Sequence, residues 1–229
     1  MRESYFNKSH SNFREKFFYL DFQLIFLILL LGIISFFAMY STERGIYDYY
    51  TQSHVYRFCT FFLVFIIISF FQIEIWYKLS YLFYLVILIL LVNVHFFGIT
   101  ASGSTRWIDL FFIHLQPSEL MKVSLIIFLS RYYTKIPSKE VNNIKFMILP
   151  IFALFIPVSL VIQQPDLGTA LLIAIGGLAV IWLAGFKIKY FMFSSVILLC
   201  LAPLVIAFLK PYQKLRILTF FNPDRDPLG

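Results

Sequence analysis

Seven stretches of this chain are so long and so apolar that they leave little choice of fold: roughly 20–40, 56–73, 81–99, 115–130, 146–163, 168–186 and 190–209. A hydrocarbon core about 30 Å thick is crossed by about 20 apolar residues in an α-helix. Inside lipid every backbone N–H and C=O needs a partner, and a helix supplies one within its own segment. The two-residue alternation of a membrane β-barrel is absent from these runs. The sequence therefore predicts an all-α, polytopic bundle of about seven transmembrane helices. Of the 229 residues, 60% are hydrophobic and only 14% are charged, a balance that excludes an ordinary soluble domain. The first run begins near Leu20 without a small-residue cleavage site, so it is expected to be a retained helix and not a signal peptide.

The net charge of +7 is read as a topology signal, and no nucleic-acid partner is expected. With the N-terminus in the cytoplasm, the inner segments carry Arg2, Lys8, Arg14, Lys16 and Lys78, then Arg131, Lys135, Lys139 and Lys145, then Lys187 and Lys189. The loop at 98–114, the turn QQPDLG at 163–168 and the tail at 210–229 then share the outer side. Residues 1–229 are read as a single integral membrane domain. It comprises a cytoplasmic N-terminal segment (1–19), seven helices (20–209) and the start of a large extracytoplasmic loop (210–229). Cys59 and Cys200 lie in separate apolar runs and are read as apolar filler. The four histidines form no ligand cluster, so no metal site is expected. No cofactor is evident, and a divalent cation is left open.

Three motifs interrupt the apolar pattern. In GSTRWIDLFFIHLQPSELMK (103–122), Arg106, Asp109, Glu119 and Lys122 crowd charge next to lipid-length helices. Trp107 suits the membrane interface, where indole sits at headgroup level, and Pro117 suits a first helical turn. Glu119 and Lys122 are three apart on one helix face. The pair either lowers its own insertion cost or faces a wet cavity that handles a charged ligand, the usual role of intramembrane ionisable residues. In QQPDLGTALLIAIGGLAV, Asp166 reads as a helix cap with Thr169 assisting, and Gly176 and Gly177 as close-packing positions. In LKPYQKLRILTFFNPDRDPLG, Lys210, Lys214 and Arg216 form either a solvated loop or a cluster attracting a phosphate-bearing headgroup.

Taken in this order, the three strings resemble the signatures of the SEDS family (shape, elongation, division and sporulation): RWI-x-L…QPSE-x-x-K, QPDLGTA and YQ-x-x-R-I…NP-x-x-DPLG. The wording stands nearer the rod-shape branch than the division branch. The resemblance implies a peptidoglycan glycosyltransferase of the bacterial inner membrane. Such an enzyme polymerises lipid II and works with a class B penicillin-binding protein. It implies that Arg106, Trp107, Glu119, Lys122 and Asp166 occupy family motif positions, with Arg106 and Lys122 meeting pyrophosphate and Glu119 orienting Lys122. Lys214 and Arg216 join them as substrate-binding candidates, and membrane lipids complete the expected partners. Family members have ten helices and a catalytic aspartate in a segment beyond DPLG, whereas this sequence reaches Gly229. Asp224 and Asp226 belong to the earlier motif and do not replace that aspartate, so the catalytic residue is left unassigned. The expectation is a partial or inactive polymerase chain. A lipid II flippase and a non-catalytic membrane protein are the other two readings.

Overall fold

The computed structural model describes residues 17–18, 20–101, 104–109, 114–164 and 166–192. The run expected at 190–209 is described only to 192, within a helical turn that begins at 188. The rest of that run, and the tail with Lys210, Lys214 and Arg216, lie outside the described residues. The chain divides into two compact units, Met1–Trp76 and Tyr77–Gly229.

In the first unit, α1 (Phe22–Thr42) and α2 (Tyr49–Ser69) pack as a hairpin. Asp21 opens α1 by accepting the Leu24 N–H at 3.0 Å. The turn uses two left-handed residues, Arg44 (φ 59°) and Gly45 (φ 79°). Helix α2 starts seven residues before the apolar run that announced it, because its first two turns are polar and aromatic. The carboxylate of Glu43 reaches over those turns and accepts the N–H groups of Tyr50 and Thr51, both at 2.9 Å, and the Thr51 hydroxyl. Within the hairpin, Ser35 donates to the Gly32 carbonyl at 2.9 Å, which leaves its oxygen to accept from His54 Nε2 at 2.8 Å. Gly32 lies against the Phe58 ring, where a Cβ would collide.

The second unit is organised by α3 (Ile73–Phe97), whose first residues belong to the first unit, with α4 (Pro117–Thr134), α5 (Ile144–Gln163) and α6 (Leu167–Leu183). The buried residues of α3, namely Ser80, Tyr84, Ile87, Leu91 and Val94, follow the three-and-four spacing of one helix stripe. Of these, Tyr84, Ile87 and Leu91 join Met121, Leu125, Phe128 and Leu129 of α4, Ala153 and Val161 of α5, and Ala170 and Ile173 of α6 in one core. Gly177 lets α6 approach closely: a Cβ there would stand 2.5 Å from Leu154 Cδ1.

Two prolines sit inside α5. Each lacks an N–H and so strips the carbonyl four residues earlier of its helical partner. Those carbonyls belong to Phe146, for Pro150, and Ala153, for Pro157. Both are satisfied by tyrosine: Tyr132 donates to the Phe146 carbonyl at 3.0 Å and Tyr84 to the Ala153 carbonyl at 2.7 Å. Where no water reaches, such substitution by a neighbouring helix is what makes a broken ladder tolerable.

Helices α1, α2, α3 and α5 are long and apolar enough to cross a membrane by length and composition. Helices α4 and α6 have 18 and 17 residues, about 27 and 26 Å of rise. The segment at 98–114, expected as a loop, carries short antiparallel strands: β1 (Ile99–Ala101), β2 (Ser104–Asp109) and β3 (His114–Leu115), in the order β1-β2-β3. Ile99 faces Trp107, and Ile108 faces Leu115. This ribbon carries Arg106 to the start of α4, against which β2 packs.

Candidate functional site

The helix directions bring the start of α4, the end of α5 and the start of α6 to one end of the second unit, and β2 lies there too. Asp166 is the centre of that end. It caps α6 as expected, with Oδ1 accepting the Thr169 N–H at 3.3 Å. Its other oxygen, Oδ2, accepts the Thr169 hydroxyl at 2.8 Å and Gln116 Nε2 at 3.2 Å, and pairs with Arg106 Nη1 at 3.4 Å. The residue is only 8% exposed. One carboxylate thus serves as a helix cap and as the counter-charge of an arginine 60 positions away in the chain. The sequence predicts the cap, and the family resemblance adds a substrate-binding candidacy, but neither signals the pairing with Arg106.

Gln116 was missed altogether. It stands at the N-cap position of α4 but makes no side-chain capping bond. Its amide bridges Asp166 and the hydroxyl of buried Ser118, at 3.1 Å from the latter. Nothing local in the sequence signals a partner 50 residues on. Gln164, also missed and 2% exposed, donates to the Leu91 carbonyl at 3.1 Å and ties the end of α5 to α3.

Among the described residues, Arg106 is held by a single long contact. Its side chain is 22% exposed, yet its Nε is buried without a partner among the described residues. A guanidinium carries five N–H donors, so this one has donor capacity to spare. Trp107 is half-buried beside it.

Lys122 and Glu119 meet at 2.7 Å, as their spacing predicted. Lys122, three and seven residues before Leu125 and Leu129, borders the buried stripe of α4 and is 26% exposed, whereas the Glu119 side chain is 53% exposed. No hydrogen bond or ion pair among the described residues joins this pair to Arg106 and Asp166. The side chain of Asp109, and all of Lys214 and Arg216, lie outside what is described. Among the described residues no three His, Cys, Asp or Glu side chains gather into a metal site.

A family profile described as "Cell cycle protein", covering FtsW, RodA and SpoVE, matches residues 17–229. A probable peptidoglycan glycosyltransferase FtsW of Buchnera aphidicola subsp. Schizaphis graminum is 32% identical over 79% of this chain and 51% of its own length. The peptidoglycan glycosyltransferase MrdB of Escherichia coli K12 is 34% identical over 64% of this chain and 39% of its own. The chain thus spans about half the length, or less, of these curated relatives. Among solved structures, a chain of a peptidoglycan synthase complex that coordinates polymerization and crosslinking superposes with a TM-score of 0.79. It is 27% identical, and the match covers 92% of this chain and 62% of that one. The rod shape determining protein RodA of Thermus thermophilus gives a TM-score of 0.68 at 25% identity, covering 81% of this chain and 60% of that one.

Proposed function

This chain belongs to the FtsW/RodA/SpoVE (SEDS) family of multi-pass membrane proteins, and we propose that it supplies the headgroup-binding part of a peptidoglycan glycosyltransferase acting on lipid II. The observation that carries the reading is Arg106. A buried donor without a partner among the described residues, on a cation that makes one ion pair among them, calls for an acceptor, and a pyrophosphate oxygen is the acceptor the family offers. Charge-assisted bonds of this kind are about twice as strong as neutral ones. Lys122, held by Glu119 and partly exposed, supplies a second cation.

The two carboxylates described at this end are both engaged, Asp166 by three side chains and Glu119 by Lys122. Neither is free to take the proton of an acceptor hydroxyl, a step that typically contributes about 10²–10⁴-fold. The reading therefore assigns binding to these residues and the proton acceptor to a group outside them. The excess of Lys and Arg at the opposite helix ends supports an outward-facing site, with the N-terminus in the cytoplasm of a bacterial inner membrane. The likeness to a chain of a synthase complex supports a class B penicillin-binding protein as partner. Motif wording favours the rod-shape role, while division and rod-shape relatives match at 32% and 34% identity.

The test is binding of fluorescent lipid II to the 229-residue chain in nanodiscs. Saturable binding weakened at least tenfold by Arg106→Ala, and less by Lys122→Ala, is expected. Binding unchanged in both variants would sink the assignment.

A further inference from the structure

The other end of the second unit carries a different kind of charge. Arg131 lies about 20 Å along α4 from Ser118. It is stacked over Tyr81 at 4.2 Å and Tyr77 at 5.1 Å, and donates to the Lys78 carbonyl at 2.7 Å and the Ser80 hydroxyl at 3.3 Å. Lys135 also lies over Tyr81, at 5.5 Å. Lys139, Lys145, Lys187 and Lys189 follow at the same end, and all four are exposed. Among the described residues none of these six cations forms an ion pair, and Glu140 is the one carboxylate in the two connections that carry them.

Those connections are tied together. Asn142 Nδ2 donates to the Gly185 carbonyl at 3.3 Å, and Asn142 Oδ1 accepts the Lys187 N–H at 3.0 Å. The lysines are therefore held on one face and not on two independent loops. Their neighbours say what that face meets. Ile144, beside Lys145, is 76% exposed, and Ile188, between Lys187 and Lys189, is 57% exposed. Apolar side chains left bare next to ammonium groups fit the level where acyl chains end and headgroups begin. Lysines there extend toward the polar side, and tyrosines such as Tyr81 and Tyr190 collect at that depth.

We infer that this face is a docking surface for anionic phospholipid headgroups, with Lys135, Lys139, Lys145, Lys187 and Lys189 as the phosphate-facing cations. Arg131 is the fixed post of the surface: its tyrosine stack and two hydrogen bonds hold it in place, and Lys135 shares Tyr81 with it. The inference stands apart from the lipid II reading, because it uses none of the residues at the Arg106 end.

The test is native mass spectrometry of the 229-residue chain released from nanodiscs of equal parts phosphatidylglycerol and phosphatidylcholine. Bound phosphatidylglycerol should exceed phosphatidylcholine by about fivefold or more, the factor expected for even one base at an anionic surface. The triple variant Lys135→Gln, Lys139→Gln and Lys145→Gln should bring the ratio close to one. Arginine at the same three positions should preserve the excess, which separates lost charge from lost folding. Parity in the unaltered chain would overturn the inference. So would an excess that survives the glutamine variant, or one that disappears with Arg106→Ala. Parity combined with binding of a glutamate-rich peptide would reassign the face to an acidic protein and likewise overturn it.

Discussion

Where α4 begins, Arg106 is answered by Asp166 and Lys122 by Glu119; where it finishes, Arg131 rests on two tyrosine rings, and Lys135, Lys139, Lys145, Lys187 and Lys189 form no ion pair among the described residues. The same helix thus handles charge in two ways. At its start the charges are matched inside the protein, and a polar network of Gln116, Ser118 and Thr169 surrounds the more buried pair. At its end charge is left in excess, and aromatic faces, one backbone carbonyl and a serine hydroxyl orient the arginine without neutralising it. On the proposed reading, internal matching keeps the site electrically quiet until a ligand competes for Arg106. Excess charge makes a surface that always seeks anions.

The largest expected effect breaks the matched end. Asp166→Ala removes the counter-charge of a largely buried arginine and the cap of α6 together. Stranding one partner of a buried pair costs about 3–5 kcal/mol. Arg106 keeps 22% exposure, which places the cost near the lower figure. SDS-induced unfolding of the purified chain measures it. A loss below about 1 kcal/mol would mean that Arg106 escapes to solvent and the network does not hold it. The same measurement on Arg131→Gln should show a smaller loss, about 1–2 kcal/mol. That change removes a cation–π stack and two hydrogen bonds but strands no opposite charge. If the two losses came out equal, the contrast between matched and unmatched ends would fail.

Between the ends, the tyrosine–proline pairs give a sharper, smaller test. Tyr84→Phe leaves the Ala153 carbonyl without its donor and should cost about 0.6–1.7 kcal/mol, the range for hydrogen bonds between membrane helices. In a Pro157→Ala background residue 157 regains an N–H and can close the ordinary helical bond to that carbonyl. There the Tyr84→Phe loss should shrink to near zero. An unchanged loss would show that the hydroxyl packs but does not replace the missing N–H. Tyr132→Phe should follow the same pattern with Pro150→Ala.

The helices were legible because length and apolarity are local properties. The runs at 146–163 and 168–186 are met by α5 and α6 to within three residues at each end. Helix α2 was cut short in the sequence reading because Tyr49–Arg57 looks like a wet loop until Asp48 and Glu43 are seen to cap it. The strands of 99–115 escaped notice because short strands carry little periodicity. In the candidate site, the Glu119–Lys122 pair was legible from spacing alone, and so was the capping role of Asp166. Its partnership with Arg106 and Gln116 was not, since each contact joins elements 50 or more residues apart and depends on how a ribbon folds onto two helix ends. The role of Tyr84, 69 residues from the carbonyl it serves, was hidden for the same reason, and that of Tyr132, 14 residues away, because it depends on how α4 packs on α5, although the prolines that need them were in plain view.

The smallest predicted effect asks what a capping carboxylate does without a buried partner. Glu43 covers the first turn of α2 much as Asp166 covers that of α6, but it is not buried and no arginine among the described residues pairs with it. Desolvation alone would push its pKa up. Hydrogen bonds from the Thr51 hydroxyl and from the N–H groups of Thr51, Tyr50 and Asp48 outweigh that and hold the carboxyl below its ordinary value of 4.5. A carboxylate whose folded-state pKa is lowered stabilises the fold fully above its unfolded value and loses that contribution as pH falls through the folded one. The start of α2 should therefore loosen below about pH 4.5, with the far end of the helix unaffected. Hydrogen exchange at the Tyr50 and Thr51 amides, after correction for intrinsic rates, should accelerate on acidification in the native chain. In Glu43→Gln the protection should be lower and independent of pH over the same range. Protection that kept its pH dependence in that variant would transfer the effect to Asp48, whose side chain accepts the Tyr49 N–H at 2.8 Å. Glu43 would then be a bystander at the turn.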